Sequence, residues 1–245
     1  MTESIKFPRL SGNILKLIAC AAMFADHLGV MCFPNEEILR IIGRLAFPIF
    51  AFMIAEGARH TRNRLRYFLT IFTVGVLMQI VYTGMFHDDY LSIFITFSIA
   101  IPLIYAFDYM KHALISESSV WNRLLSVIVF VLGVITAYLF CRKFTVDYGF
   151  FGVMTPVITS SFMYKSTSPS SMCRYDRNVI HVASCGVALL LLATTHTWDV
   201  QYYSLLALPL LLLYSGKRGK LNLKYFFYVF YPLHLLAIEG VAMLI

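Results

Sequence analysis

Charged residues are scarce in this sequence of 245 residues, and their scarcity excludes a soluble protein. Asp, Glu, Lys and Arg make up 13% of the chain, against about 25% in soluble domains. Hydrophobic residues reach 59% without counting Gly or Pro, whereas soluble domains reach roughly 45–50% with Gly included. A water-soluble fold of this composition would expose apolar surface wherever its core ran out. The chain is therefore predicted to be an integral membrane protein.

Cysteine is also sparse, and its pattern excludes two kinds of site. The number is odd and no C-x-x-C pair occurs, which argues against a structural zinc site or a disulfide framework; the five are Cys20, Cys32, Cys141, Cys173 and Cys185. A bridge between Cys32 and Cys141, which both reach the outer surface in the expected topology, is disfavoured but left open. No secretory signal peptide stands out, because the first apolar stretch carries Asp26-His27 and leads into another apolar segment.

Long, continuous apolar runs are what the sequence has in abundance. A transmembrane β-barrel would need short strands of alternating polarity, so helices are expected instead. The fold class is all-α, a polytopic transmembrane helical bundle in a single domain, 1–245, without internal repeats or linkers. The sixth and eighth of about nine predicted spans are short enough to be tilted, half-buried or partly re-entrant; the spans are 13–33, 38–58, 66–86, 91–110, 122–141, 148–164, 178–196, 199–215 and 224–245.

The distribution of basic residues predicts the orientation. With the N-terminus inside, sixteen of the 20 Lys and Arg residues lie in inner segments, and only Arg40, Arg142 and Lys143 lie in outer ones. This asymmetry follows the positive-inside rule. Nine spans then place the N-terminus inside and the C-terminus outside. The net charge of +7 is accordingly attributed to topology and anionic lipid, and nucleic acid is not expected as a partner.

Three ionisable residues lie where lipid should not tolerate them. Asp26 and His27 precede the outer end of the first span by about six residues, roughly 9 Å, and Arg44 lies at a similar depth in the second. Such groups by default mark a functional site facing the protein interior. An Asp26–Arg44 ion pair with His27 beside it is expected. A purely structural pair is the alternative, and function is favoured because buried pairs rarely add net stability.

Other polar positions allow two interpretations each. A basic run after Glu56 is either a loop that sets topology or a phosphate-binding patch, and spacing does not choose; it contains Arg59, His60, Arg62, Asn63, Arg64 and Arg66. Asp147-Tyr148-Gly149 opens the sixth span, where a helix N-cap is the simpler interpretation of the aspartate. His234 lies roughly 14 Å inside the last span and is expected several ångströms deeper than His27. It is either a packed hydrogen-bonding residue or, next to backbone carbonyls that Pro232 is expected to free, part of a channel for the thioester of the cofactor.

These residues together resemble the TraX family. The resemblance covers nearly the whole chain, and its motifs are Ile14-Leu15-Lys16, Asp26-His27, Ile42-Gly43-Arg44-Leu45-Ala46-Phe47-Pro48-Ile49-Phe50, Glu56-Gly57, Arg59-His60-Thr61-Arg62-Asn63, Ser92-Ile93-Phe94-Ile95-Thr96, Asp147-Tyr148-Gly149-Phe150-Phe151-Gly152 and Tyr231-Pro232-Leu233-His234. It implies a relative of the conjugative F-type pilin acetylase, similar in plan to multi-span acyltransferases that use acetyl-CoA. It also implies a bacterial inner membrane, a catalytic His27 and a basic loop that meets coenzyme A.

The leading hypothesis is therefore an acetyl-CoA-dependent O- or N-acyltransferase without a metal. His27 is the expected base, oriented by Asp26 or Asp147, with Arg44 or Tyr148 stabilising the oxyanion. Residues assigned to coenzyme A are Glu56, Arg59, His60, Arg62, Asn63, Arg66 and His234. The acceptor is left open as a pilin-like peptide, a sugar or a lipid headgroup. The alternatives are a small-solute or proton-coupled transporter and a structural accessory subunit.

Overall fold

The computed structural model describes residues 9–86, 90–116, 118–162, 172–195, 199–221 and 223–243. Within these ranges the chain is helical, with a 3₁₀ helix at Asp199–Leu206. Two isolated bridges, Leu10 with Tyr214 and Leu91 with Val146, are the only β-type pairings in the described ranges. The α-helices are α1 (Gly12–Met31), α2 (Glu37–Gly43), α3 (Ala46–His60), α4 (Arg64–Phe86), α5 (Ile93–Ile115), α6 (Val120–Lys143), α7 (Gly149–Ser160), α8 (Met172–Thr195), α9 (Ala207–Leu212) and α10 (Lys224–Ala242).

The helices coincide with the predicted apolar segments, and the chain is a polytopic helical membrane protein. Six helical segments in the described part are long and apolar enough to cross a membrane. Three shorter apolar helices, Gly149–Ser160, Val200–Leu212 and Val229–Ala242, fall in the sixth, eighth and ninth predicted spans. The sixth and eighth were expected to be short from the sequence. The number of crossings and the orientation stay predictions.

The second predicted span differs from expectation because it is interrupted at Arg44. Helix α2 ends at Gly43, α3 begins at Ala46, and two turn residues connect them. Pro48 lies in the first turn of α3 and has no N–H with which to bond the carbonyl of Arg44, four residues earlier. Arg44 therefore lies between two helices, and the direction of its side chain is not fixed by the regular spacing of residues around a single helix.

Helix α3 lies at the centre of the bundle. Half of the residues in the most apolar window of Glu37–His60 are buried, against 11% in Arg64–Gly84 and in Val120–Lys143. Phe52 and Ile49 of α3 are fully buried, and α3 packs against α1, α5 and α7. Helices α4 and α6 therefore present most of their apolar surface to the surroundings, which in a membrane are lipid chains.

Gly43 allows α1 and α2 to approach closely. A Cβ at this position would overlap the Cβ and Oδ1 atoms of Asp26, so a methyl group would force the two helices apart. We expect Gly43→Ala to destabilise the detergent-solubilised protein by about 1–3 kcal/mol, as for other overpacked sites. Thermal unfolding measured by tryptophan fluorescence or light scattering checks this.

Gly84→Ala is the matched control, because a Cβ on Gly84 would meet no atom within 4 Å. Alanine is favoured over glycine in a helix by roughly 0.5–1 kcal/mol, so this variant should melt at or slightly above the wild-type temperature. Equal melting temperatures for the two variants would contradict the close approach at Gly43.

Candidate functional site

A buried ion cluster joins α1 to the α2–α3 junction. The Asp26 carboxylate accepts hydrogen bonds from Nη2 of Arg44, at 2.8 Å to Oδ1 and 3.0 Å to Oδ2. Nη1 of Arg40 donates to the same Oδ1 at 3.0 Å. All three side chains are less than 20% exposed. The ion pair expected from matching depths is therefore present, and Arg40, which was expected to lie in an outer segment, is its second cation.

Arg44 also connects this cluster to the 3₁₀ helix. Its Nη1 donates to Oε1 of Gln201 at 3.2 Å. Two buried nitrogen donors here, Nε of Arg44 and Nε2 of Gln201, have no hydrogen-bond partner among the residues that the structure describes. Donors without partners are costly in a low-dielectric interior. The region therefore offers hydrogen bonds to an oxygen atom that enters it. Sequence reasoning missed Gln201 because a single amide in a short apolar segment carries no pattern.

Tyr148 lies beside Arg44 in an unusual backbone conformation. Its φ of 57° is in the left-handed region, as is that of Gly149, which costs a non-glycine residue of order 1–3 kcal/mol. The turn places the Tyr148 ring against Phe47 with centroids 4.0 Å apart and 6.0 Å from the Arg44 guanidinium carbon. Gly152 permits this turn, since a Cβ there would overlap Cβ of Tyr148. The structure thus brings together Arg44 and Tyr148, the two predicted oxyanion stabilisers.

Asp147 is not the N-cap of α7. Tyr148 occupies that position without a side-chain cap, and the Asp147 carboxylate instead accepts a hydrogen bond from the Tyr90 hydroxyl at 2.5 Å. Its backbone carbonyl accepts another from Thr96 at 2.8 Å. Burial raises the pKa of the Asp147 carboxyl to about 6, although the Tyr90 hydrogen bond and the Arg44 charge oppose the shift. Neither Asp147 nor Asp26 makes a described hydrogen bond to His27.

His27 is held by a second histidine. Its Nδ1 lies 2.8 Å from Nε2 of His234, and the ring centroids are 4.9 Å apart. His234 was expected several ångströms deeper, as part of a cofactor channel. Counting residues inward from the end of a predicted span misplaced it, because α10 packs against α1 with these two side chains at the same level.

A cavity of about 540 Å³ lies among α1, α3, α4, α5 and α10. Its apolar wall includes Met23, Phe50 and Phe94. Tyr231 also lines it, and the Tyr231 ring contacts His27 and His234 at centroid distances of 6.4 Å and 5.4 Å. The cavity therefore reaches Tyr231, which borders the histidine pair.

Four cationic side chains surround one end of this cavity, and we call them the basic mouth: Lys16, Arg62, Arg66 and Arg218. Three segments of the chain supply them. Asn63 begins α4 by accepting a hydrogen bond from the Arg66 backbone N–H at 2.8 Å. The segment before α10 folds over the start of α1, where the N–H of Asn13 donates to the carbonyl of Arg218 at 2.9 Å. This contact adds Arg218, which the sequence did not single out.

The predicted cofactor-binding residues separate into two groups. Arg62, Asn63 and Arg66 line the cavity, whereas Glu56, Arg59, His60 and His234 do not. Glu56 is ion-paired with Arg59 at 3.6 Å, and Nδ1 of His60 lies 3.2 Å from the Oε2 atom of Glu56. Arg64, in the same basic run, faces Asp108 at 4.0 Å. Glu56, Arg59 and His60 thus lie outside the cavity lining and contact each other, and their assignment to coenzyme A stays a prediction.

The thiols and metal-binding side chains add no further site. Cys32 and Cys141 are both free, so the bridge left open in the sequence is absent; Cys173 lies in a part whose side chains are outside the described set. Among the described residues, no three His, Cys, Asp or Glu side chains are grouped to hold a metal ion.

Asp26 and Arg44 should be energetically coupled. Asp26→Asn leaves two buried guanidinium groups without their counter-charge, and we expect a loss of on the order of 3 kcal/mol. Arg44→Gln should cost less, because Asp26 keeps Arg40. The Asp26→Asn/Arg44→Gln double variant should lose clearly less than the two single losses added together, as measured by chemical or thermal unfolding in detergent.

The Arg64–Asp108 pair is the matched control. These groups are 4.0 Å apart and the Arg64 side chain is 53% exposed, so their coupling should stay below about 1 kcal/mol. Strict additivity for Asp26 and Arg44 as well would show that the buried contact does not stabilise the fold.

Comparison with known proteins agrees with the motifs. The family model for the TraX protein matches residues 11–242. A probable fimbrial assembly protein FimC, serogroup H1, of Dichelobacter nodosus is 27% identical over 259 residues, with 96% of each chain covered. An uncharacterized protein of Rickettsia prowazekii (strain Madrid E) is 33% identical over 104 residues, 42% of this chain and 39% of that one. No solved structure matches. Because the family model spans nearly the whole chain, this protein belongs to the TraX family.

Proposed function

We propose that the protein is a membrane-embedded acyltransferase that moves an acetyl group from acetyl-CoA to an acceptor at the membrane. The observation that carries this proposal is the cavity with the basic mouth at one end and Tyr231, beside His27, among its walls. A binding site for acetyl-CoA needs cations for phosphates, an apolar passage for the pantetheine arm and a base at the far end. The cavity and its surroundings offer all three.

The basic mouth suits the phosphate groups of coenzyme A. Arginine presents a planar fork of donors matched to phosphate oxygens, and lysine adds a point charge. Arg62 and Arg66 make no ion pair with another described side chain, unlike Arg59 and Arg64 in the same run. Phosphates would therefore bind at Arg62 and Arg66 without replacing an ion pair between described side chains.

The dimensions of the cavity suit the remainder of the molecule. Its volume of about 540 Å³ is within the range of small-molecule sites, roughly 300–1,000 Å³. Lys16 at the mouth and His27 are both on α1, and their separation in sequence corresponds to about 16 Å along the helix. An extended pantetheine arm spans such a distance, which brings a thioester toward the histidine pair.

The reaction moves one proton, through His27, from the acceptor to the thiolate, and it replaces the carbon–sulfur bond of the thioester with a bond from the carbonyl carbon to the acceptor. A hydroxyl or amine of the acceptor attacks the thioester carbonyl as Nε2 of His27 takes its proton. The tetrahedral oxyanion collapses with cleavage of the carbon–sulfur bond, and the proton passes from His27 to the departing thiolate. The products are acylated acceptor and free coenzyme A. Arg44, whose buried Nε–H has no partner in the described part of the chain, is the proposed donor to the oxyanion, with Tyr148 beside it.

The acceptor and the compartment are inferred from family membership. The relative from Dichelobacter nodosus is described as a probable fimbrial assembly protein, which favours a subunit of a pilus or fimbria over a sugar or lipid headgroup. Such a subunit is assembled from the bacterial inner membrane, which we propose as the location. In the predicted nine-span orientation, with the N-terminus inside, the basic mouth would face the cytoplasm, where acetyl-CoA is made.

Acetyl-CoA should bind to and stabilise the purified protein through the basic mouth. Arg62→Gln/Arg66→Gln should lower the affinity at least about tenfold, since each hydrogen bond to a charged group contributes about 1.5–3 kcal/mol. The loss should shrink at high salt, where the wild type is itself weakened. Isothermal titration calorimetry in detergent measures both effects.

Arg142→Gln/Lys143→Gln is the control with the same change of charge, because both residues are exposed at the end of α6. If acetyl-CoA affinity falls equally in both double variants, the effect is one of net charge and the basic mouth is not the site. Uptake of a solute by proteoliposomes in the absence of any acetyl-CoA binding would instead favour the transporter.

His27 should be needed for transfer and not for binding. Removing a general base typically costs roughly 10²–10⁴-fold in rate, so His27→Ala should lose at least that much turnover with purified fimbrial subunit as acceptor. Its acetyl-CoA affinity should remain within a few-fold of the wild type, because His27 does not line the cavity. Full transfer activity in His27→Ala would remove it from the mechanism.

A further inference from the structure

We infer that His234 is a positioning residue that fixes the tautomer of His27 and leaves Nε2 of His27 as the nitrogen with the free lone pair. This inference deepens the proposed function and its kinetic part rests on it. The hydrogen-bond arrangement itself is independent of any reaction.

The direction of the first hydrogen bond is fixed by chemistry. Nδ1 of His234 lies 3.0 Å from the backbone carbonyl oxygen of Phe230. A carbonyl oxygen only accepts, so Nδ1 of His234 carries the proton. The opposite tautomer would place two lone pairs against each other in a site where His234 is only 4% exposed.

The second hydrogen bond then follows from the first. A neutral imidazole with its proton on Nδ1 has a lone pair on Nε2. Nδ1 of His27 lies 2.8 Å from that atom, so it must be the donor. In neutral His27 the remaining nitrogen, Nε2, is unprotonated, and it has no hydrogen-bond partner among the described residues. A chain of two bonds, starting at a backbone carbonyl, thus produces the base in the form that acyl transfer needs.

His234 is itself held firmly. Its ring stacks on Phe230 with centroids 5.0 Å apart and planes 6° from parallel, and meets Tyr231 edge-on. Leu235 and Ile238 on the same helix are buried. A rigid partner fixes the rotation of the His27 ring as well as its tautomer, which matters because a small displacement of a reacting group lowers the rate steeply.

The use of a neutral partner is explained by the charges nearby. The carboxylate adjacent in sequence, Asp26, is bound by Arg40 and Arg44, and Asp147 accepts from Tyr90. Neither is available to orient His27. An imidazole supplies the same hydrogen-bond acceptor without another buried charge, which would be costly in a membrane interior.

The first test reads the tautomers directly. Nitrogen-15 NMR of histidine-labelled protein in nanodiscs distinguishes a protonated from an unprotonated ring nitrogen. We expect the proton of both rings on Nδ1 in the wild type, with signals assigned from His27→Gln and His234→Gln. His27 with its proton on Nε2 would overturn the inference, whether or not the protein transfers acyl groups.

The second test separates positioning from simple packing. In His234→Gln the side-chain oxygen can take the place of Nε2 as acceptor, so turnover should stay within a few-fold of the wild type. His234→Leu fills the space without an acceptor, and kcat should fall on the order of 10²-fold with the KM for acetyl-CoA unchanged. Equal loss in both variants would contradict the positioning role.

His181→Gln is the matched control, because His181 is also a buried histidine, 4% exposed, on α8 with its Nε2 facing the Phe162 carbonyl. It should leave kcat unchanged. Suppose that neither the wild type nor any variant transfers an acyl group, while NMR shows the proton of both rings on Nδ1. The proposed reaction is then wrong, and the inferred hydrogen-bond arrangement of His27 and His234 is still correct.

Discussion

The rest of the site depends on the ion pairs that the Asp26 carboxylate forms in an apolar region. An ion there is tolerated only with opposite charge and hydrogen bonds at hand, and Arg40 and Arg44 supply both. Their side chains come from α2 and its junction with α3, so the ion cluster joins the first helix to the central one. Gly43 lets the helices meet closely enough for this contact. Arg44 then extends the cluster to Gln201 and Tyr148.

As a consequence, the adjacent residues Asp26 and His27 contact different helices from two sides of α1. Successive residues of an α-helix point about 100° apart, so Asp26 faces α2 whereas His27 faces α10. With the carboxylate occupied by arginines, the partner of His27 has to come from another helix, and His234 is that partner. Asp26 and His27 are therefore adjacent in sequence but make no described hydrogen bond to each other. Asp26 belongs to the ion cluster on one side of α1, and His27 belongs to the histidine pair on another side.

Much of this arrangement was predictable from the sequence, and the remainder depends on packing. Apolar runs predicted the helices, and matching depths predicted the Asp26–Arg44 contact. Positive-inside asymmetry grouped the cations of the basic mouth on one side of the membrane but could not tell which would be neutralised, as Arg59 is by Glu56. Arg218 joins the mouth only because its loop folds over the start of α1. Counting residues along α10 could not show that His234 lies beside His27, because that position depends on how α10 packs against α1.

Under the proposed function, helix α1 would hold an acyl donor that enters from one side and a base that lies deep in the membrane within one site. Lys16 lies at the basic mouth, and His27 follows about 16 Å along the same helix, roughly half of a hydrocarbon core of about 30 Å. Because both are on one continuous helix, their separation is fixed. Under the proposed function the thioester would cross about half of the membrane inside the protein. In the predicted orientation the polar residues around Asp26 and Asp147 would lie toward the other surface, so an acceptor approaching from there would meet the base without displacing coenzyme A.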